Sequence, residues 1–115
     1  MNETQAERRG HTFLPAETTI PALYSTEEVR AGNKMLTLHY FIGESHWYLC
    51  ELDPTTGIGF GWAILSGNIQ DAEWGYVSLE ELETLNFRGF IVERDTDWNP
   101  CPAREVLPPK AWNFD

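Results

Sequence analysis

Apolar residues recur at every second position over three consecutive stretches of the chain, and a period of two marks strands with one face turned to a core. From Lys34 to Ile42, the residues Leu36, Leu38, Tyr40 and Ile42 alternate with Met35, Thr37, His39 and Phe41. Gly43-Glu44-Ser45 turns the chain, and His46 to Leu52 runs back with Trp47 and Leu49 opposite Tyr48 and Cys50. These two stretches are expected to pair as a β-hairpin. Asp53-Pro54-Thr55-Thr56-Gly57 has the residues of a longer hairpin loop. Beyond it, Ile58, Phe60, Trp62 and Ile64 fall on one face and Gly59, Gly61, Ala63 and Leu65 on the other. That small face requires close cover, most simply by a helix.

After a loop at Ser66 to Ala72, Glu73 to Val77 reads as a fourth strand. The period then changes: Ser78 with Glu81 three residues on is a capping box, and Leu79, Leu82 and Leu85 lie on one side of a helix. Phe90 to Glu93 is a fifth strand, reached through Arg88-Gly89. Successive strands joined by short turns, with no repeated crossover helices, predict an α+β fold. Its sheet is mainly antiparallel, of about five strands beginning as a meander, and is covered on one side by one or two short helices.

The two ends differ from this centre. Residues 1–12 are polar and without period, which predicts a flexible N-terminal segment. Leu14 to Tyr24 suits a short helix or helical turn opened by Pro15 and stopped around Pro21, with Ile20, Leu23 and Tyr24 anchoring it to the core. Ser25-Thr26-Glu27-Glu28 gives one further turn. Residues 13–97 form the single α+β domain, as 115 residues allow. Residues 98–115 hold four of the seven prolines, with Trp98 and Trp112, and predict an extended tail. No apolar run has the length of a membrane span or the layout of a secretory leader, so a cytoplasmic location is expected. In that reducing setting Cys50 and Cys101 are expected as free thiols, Cys50 as a small buried hydrophobe.

Charge changes the picture further. The chain has 8 Lys and Arg against 18 Asp and Glu, a formal net of -10, which repels nucleic-acid phosphate and anionic lipid. No Lys or Arg occurs between Lys34 and Arg88, while Glu44, Glu51, Asp53, Asp71, Glu73, Glu80, Glu81 and Glu83 all lie there. Aromatic residues are interleaved with these acids, and acids that steer with aromatics that anchor suit the capture of a basic protein surface. Glu44, Glu51, Asp53, Asp71 and Glu73 are the expected steering residues, with Trp47 and Trp74 as anchors. Mimicry of DNA is the sharp form of this reading and requires the acids on one face; the plain form is an acidic surface that keeps the protein soluble.

Other chemistry is thinly represented. His39, His46, Cys50 and Glu51 are candidate metal ligands, but His46 and Cys50 stand about 13 Å apart along one strand face, too far to share an ion, so no metal or cofactor is expected. Asp71 with Glu73, or Glu51 with Asp53, could pair for acid–base work, yet no nucleophile elbow, phosphate loop or metalloprotease helix accompanies them. The alternatives to a non-enzymatic binding module are an enzyme or ligand-binding domain with a pocket lined by Tyr48, Trp62 and Tyr76, and a homodimer formed through the tail.

Several blocks in order, Ile20-Pro21-Ala22-Leu23-Tyr24, Trp47 to Asp53, Gly59-Phe60-Gly61, Trp74-Gly75-Tyr76-Val77-Ser78-Leu79-Glu80-Glu81-Leu82 and Val92-Glu93-Arg94-Asp95, form a known pattern. On them the chain resembles a bacterial, plasmid and phage family filed as domain of unknown function twenty-nine fifty-eight. The resemblance covers roughly Phe13 to Asp97 and departs at Phe41 to His46. It brings no established activity, and it implies an accessory role on a phage or other mobile element; together with the cation-free centre, this gives the expectation of a factor that blocks a basic surface, such as a nucleic-acid-binding one, on a host protein such as a defence component.

Overall fold

The computed structural model describes residues 3–16 and 18–114. In chain order the regular elements are α1 (Ala6–Arg9), β1 (Met35–Leu36), β2 (Leu38–Ile42), β3 (Ser45–Asp53), β4 (Ile58–Ile64), β5 (Glu73–Ser78), α2 (Leu79–Thr84), β6 (Asn86–Phe87), β7 (Phe90–Ile91), β8 (Glu93–Arg94) and β9 (Cys101–Pro102). Five strands form the main sheet in the order β5-β4-β3-β2-β8, and every neighbouring pair is antiparallel. The expected meander is present as β2-β3-β4-β5. The stretch read as a fifth strand divides instead: Phe90–Ile91 pairs with Asn86–Phe87 in a small hairpin, and only Glu93–Arg94 joins the sheet, beside β2. The helix starts as its capping box dictates, with the Ser78 hydroxyl accepting from the Glu81 amide at 3.2 Å.

One irregularity controls what each face presents. Leu49 pairs with Gly61 but Glu51 pairs with Phe60, so Cys50 is an extra residue in β3. Two residues of β3 then oppose one of β4, and a bulge of this kind breaks the alternation. Strict alternation would put Glu51 with Trp47 and Leu49 on the core face; the bulge turns it to the face of Phe60. The same crowding explains the glycines. A Cβ on Gly61 would lie 1.9 Å from the Tyr48 carbonyl oxygen and 2.8 Å from Leu49 Cα. The close cover that the small face of β4 demands is therefore the β3 backbone, and not the helix expected there.

The sheet separates two cores. On one side Tyr40, Trp47, Leu49 and Leu52 cluster with Phe13, Val77, Val92 and the helix residues Leu79 and Leu82. On the other, Cys50 and Trp62 cluster with Leu36, Ala72 and three tail residues, Ala103, Leu107 and Ala111. Each end of the chain thus contributes to a different core.

Both ends depart from expectation. The described part of the N-terminal segment is docked: Arg9 Nη1 meets the fully buried Glu83 carboxylate at 2.6 Å, and Arg9 Nε donates to the Val92 carbonyl. The Glu83 carboxylate also accepts from the Thr4 and Gln5 amides, and a buried charge with this many donors holds down an otherwise polar segment. Met1, Asn2, Glu17 and Asp115 lie outside the described residues. No helix forms among the described residues between Leu14 and Tyr24; Ala22 instead bridges in parallel to Leu52, whose amide donates to the Pro21 carbonyl. The tail folds back in cis. Cys101–Pro102 pairs with Met35–Leu36, and two 3₁₀ turns, Ala103–Glu105 and Pro109–Ala111, replace the extended run. Trp98 Nε1 donates to the Leu36 carbonyl at 2.8 Å, and Ala103, Leu107 and Ala111 of the tail cover their own sheet. Both cysteines are free, and burial, with Glu51 nearby, pushes the Cys50 thiol up to about 12.

Candidate functional site

The acidic residues singled out in the sequence are dispersed. Glu44 precedes β3 and Asp53 ends it, which places them about 30 Å apart along the strand. Asp71 and Glu73 are exposed near the start of β5, with Asp71 bonded to the Asn68 amide. Lys110, carried there by the tail, donates to the Ile69 and Gln70 carbonyls beside them. Asp53 is half-buried and accepts from the Thr55 amide within its own loop. Glu51 is only 3% exposed and cannot steer a partner from solvent. Trp47 is buried in the first core. Trp74 is half-buried, its Nε1 donating to the Ala111 carbonyl, so both tryptophans are engaged by the fold and are not free anchors. The pocket expected between sheet and helix is not assembled either. Trp62 is buried beneath the tail, Tyr48 stacks on His39 at 4.5 Å, and Tyr76 stands 62% exposed at the sheet edge.

What the fold does bring together lies at that edge. Directly opposite residues share a face, so the pair Phe60 and Tyr76 and the pair Glu51 and Phe60 align three side chains across β3, β4 and β5. The Tyr76 ring meets Phe60 at 5.3 Å and Tyr24 at 6.0 Å, both edge to face. Tyr24, Glu27, Lys34, Glu51, Phe60 and Tyr76 enclose a recess of about 250 Å³. Glu51 builds the loop above it. One carboxylate oxygen accepts from the Tyr24 amide at 2.7 Å, and the other accepts from the Thr26 amide at 3.1 Å and from the Thr26 hydroxyl. Tyr24 takes φ = 72°, where a bulky side chain is strained by about 1–3 kcal/mol. The buried carboxylate holds that backbone and keeps the ring, 56% exposed, against Tyr76. The Tyr76 hydroxyl is raised above its ordinary pKa, first by the hydroxyl of Tyr24, with the charges of Glu27 and Glu51 adding.

At the other end of the same face, Asp95 accepts from His39 Nδ1 at 2.8 Å, and His39 Nε2 lies 2.9 Å from His46 Nδ1. A carboxylate only accepts, so His39 Nδ1 carries its proton and, in the neutral rings, His46 Nδ1 donates to His39 Nε2. Burial and the neighbouring His39 hold His46 below the usual histidine value. Cys50 lies apart from the two histidines, its thiol against the Phe60 carbonyl.

Residues 25–103 match the family described as protein of unknown function (DUF2958), and they make up more than half of the chain. The chain belongs to the DUF2958 family. No curated protein and no solved structure matches it. In this DUF2958 member the matched residues include the bulge, β5 and most of the recess, while Tyr24 lies one residue before them. The family description assigns no activity, so function must be argued from the site.

A second apolar surface belongs to the same DUF2958 fold. Leu65, Leu85, Phe87 and Phe90 are exposed around a groove of about 640 Å³ beside Trp47 and Glu44. Arg88 lies over the Phe87 ring and Arg8 donates to the Gly89 carbonyl, so this surface mixes both signs of charge. Among the described residues no helix is long and apolar enough to cross a membrane. Sequence reasoning missed Tyr24, Glu27 and Phe60 as site residues. Period two places Phe60 and Tyr76 in strands but not at an edge, and Tyr24 was expected in the core.

Proposed function

We propose that this protein is a non-enzymatic binding module that adds an extended segment of another protein to the free edge of β5. The observation that carries the proposal is the state of that edge. β5 terminates the sheet, and among the described residues no other backbone group is hydrogen-bonded to the outer side of residues 73–77. The sheet face at Gly75 is open, since a Cβ there would meet nothing within 4 Å. Next to it stand the exposed Tyr76 and Tyr24. Unpaired strand edges are templates for strand addition, in which the main chain supplies affinity and flanking side-chain sites supply selectivity. With a net charge of -10 and Glu73 and Glu27 flanking the edge, the segment that fits is basic.

The acids do not suit mimicry of DNA. A duplex as long as the 41 Å molecule would bear about 24 charges, and the acids here are fewer, scattered, and in the case of Glu83 neutralised inside the fold. The accessory role on a phage or plasmid, in the cytoplasm and against a basic surface of a host protein, is the setting proposed for this binding. Selection of peptides on the immobilised protein tests it. The expected outcome is extended sequences with alternating basic residues, whose binding slows hydrogen exchange of the outward β5 amides, weakens from low to moderate salt, and is lost in Tyr76→Ala. Selected peptides that leave β5 exchange unchanged would overturn the proposal.

A further inference from the structure

We infer that the recess bounded by Tyr24, Phe60 and Tyr76 takes one cationic side chain, a guanidinium or an ammonium, from the bound segment. This rests on the strand-addition reading and gives that site its ligand chemistry. The Tyr76 ring meets those of Tyr24 and Phe60 edge to face, all three line the recess, and a cation within about 6 Å of an aromatic face is attracted by the ring quadrupole. The volume of about 250 Å³ lies below the roughly 300–1,000 Å³ of sites for drug-sized molecules, which suits a single side chain.

The charge lining the recess points the same way. Glu51 is buried and accepts from the neutral amides of Tyr24 and Thr26 and from the Thr26 hydroxyl. Among the described residues no Lys, Arg or His lies within salt-bridge distance of it. At the low dielectric of such a site a carboxylate acts strongly on an incoming cation. Glu27 adds a second carboxylate at the exposed side. Among the described residues Lys34 is the one cation lining the recess, and its ammonium is held by the Thr26 carbonyl at 2.6 Å and the Thr26 hydroxyl at 3.0 Å. Two carboxylates against one lysine leave the recess negative by one charge. Tyr24 is held in a left-handed backbone conformation by Glu51, so the carboxylate that supplies charge also positions one wall.

The test uses the full chain and three blocked amino acids, N-acetyl-arginine amide, N-acetyl-lysine amide and the neutral isostere N-acetyl-citrulline amide, with NMR shifts of the Tyr24, Phe60 and Tyr76 rings as readout. Arginine or lysine should shift these rings with an affinity at least fivefold above citrulline, and comparing the two cations identifies the preferred head group. Tyr76→Ala and Glu27→Gln, both at exposed positions, should weaken the effect at least threefold, and Lys34→Met should strengthen it by removing the competing charge. Equal shifts with citrulline, or no response to Tyr76→Ala and Glu27→Gln, would overturn the inference. In that event slowed β5 exchange with selected peptides would still support strand addition, so the two readings fail separately.

Discussion

Gly61 has no room for a side chain, because the Tyr48 carbonyl oxygen occupies the place of its Cβ at 1.9 Å. Gly61→Ala should therefore destabilise the protein by about 3 kcal/mol in urea unfolding, since the obstacle is backbone and not a flexible side chain. Gly75→Ala, with open space around it, should change stability by less than about 0.5 kcal/mol. The alternation of glycines in Gly57-Ile58-Gly59-Phe60-Gly61 signals close packing in the sequence alone. It does not say what approaches. At Gly61 the answer is the neighbouring strand at a bulge, and that bulge sends Glu51 to the opposite face from the one its position in the alternation implies.

At the scale of elements, a buried ion pair helps to hold α1 on the domain. Arg9→Met leaves the Glu83 charge unpaired and should cost about 3–5 kcal/mol, while Arg9→Met with Glu83→Leu should recover much of that loss. Glu83 also gives a pH signature. Burial pushes its carboxyl up, but bonds from the Thr4 and Gln5 amides, the Thr4 hydroxyl and the Arg9 guanidinium outweigh this and hold it below its ordinary value. Its contribution is complete above the unfolded value of about 4.3 and is lost as pH falls through the lower folded value. Thermal melts across pH 2–6 should show a slope that Glu83→Gln reduces; an unchanged slope would mean other carboxylates govern acid unfolding. The start of α2 was legible from Ser78 and Glu81, because a capping box is a local pattern. The burial of Glu83 was not, because its partner is 74 residues away and polar like any solvated arginine.

Over the whole molecule, the tail is part of the second core. Leu107→Ala should cost about 3 kcal/mol, whereas Phe114→Ala, at a residue 68% exposed, should cost less than about 0.5 kcal/mol. Similar small losses for both in denaturant titrations would show that the tail is dispensable. The prolines predict an extended tail after Asp95 where the structure has 3₁₀ turns; Ala103, Leu107 and Ala111 recur every four residues, a helical spacing that Pro102, Pro108 and Pro109 argue against, so their burial could not be read locally. The sequence by itself determined the antiparallel meander, the capped helix and the buried Cys50, since each depends on spacing within a few residues. Only the tertiary structure decided which face of the sheet each end of the chain covers, which acids are neutralised, and that Tyr24, Phe60 and Tyr76 meet. Those outcomes depend on strand register and on hydrogen bonds between residues far apart in the chain, and a local periodicity carries no information about either.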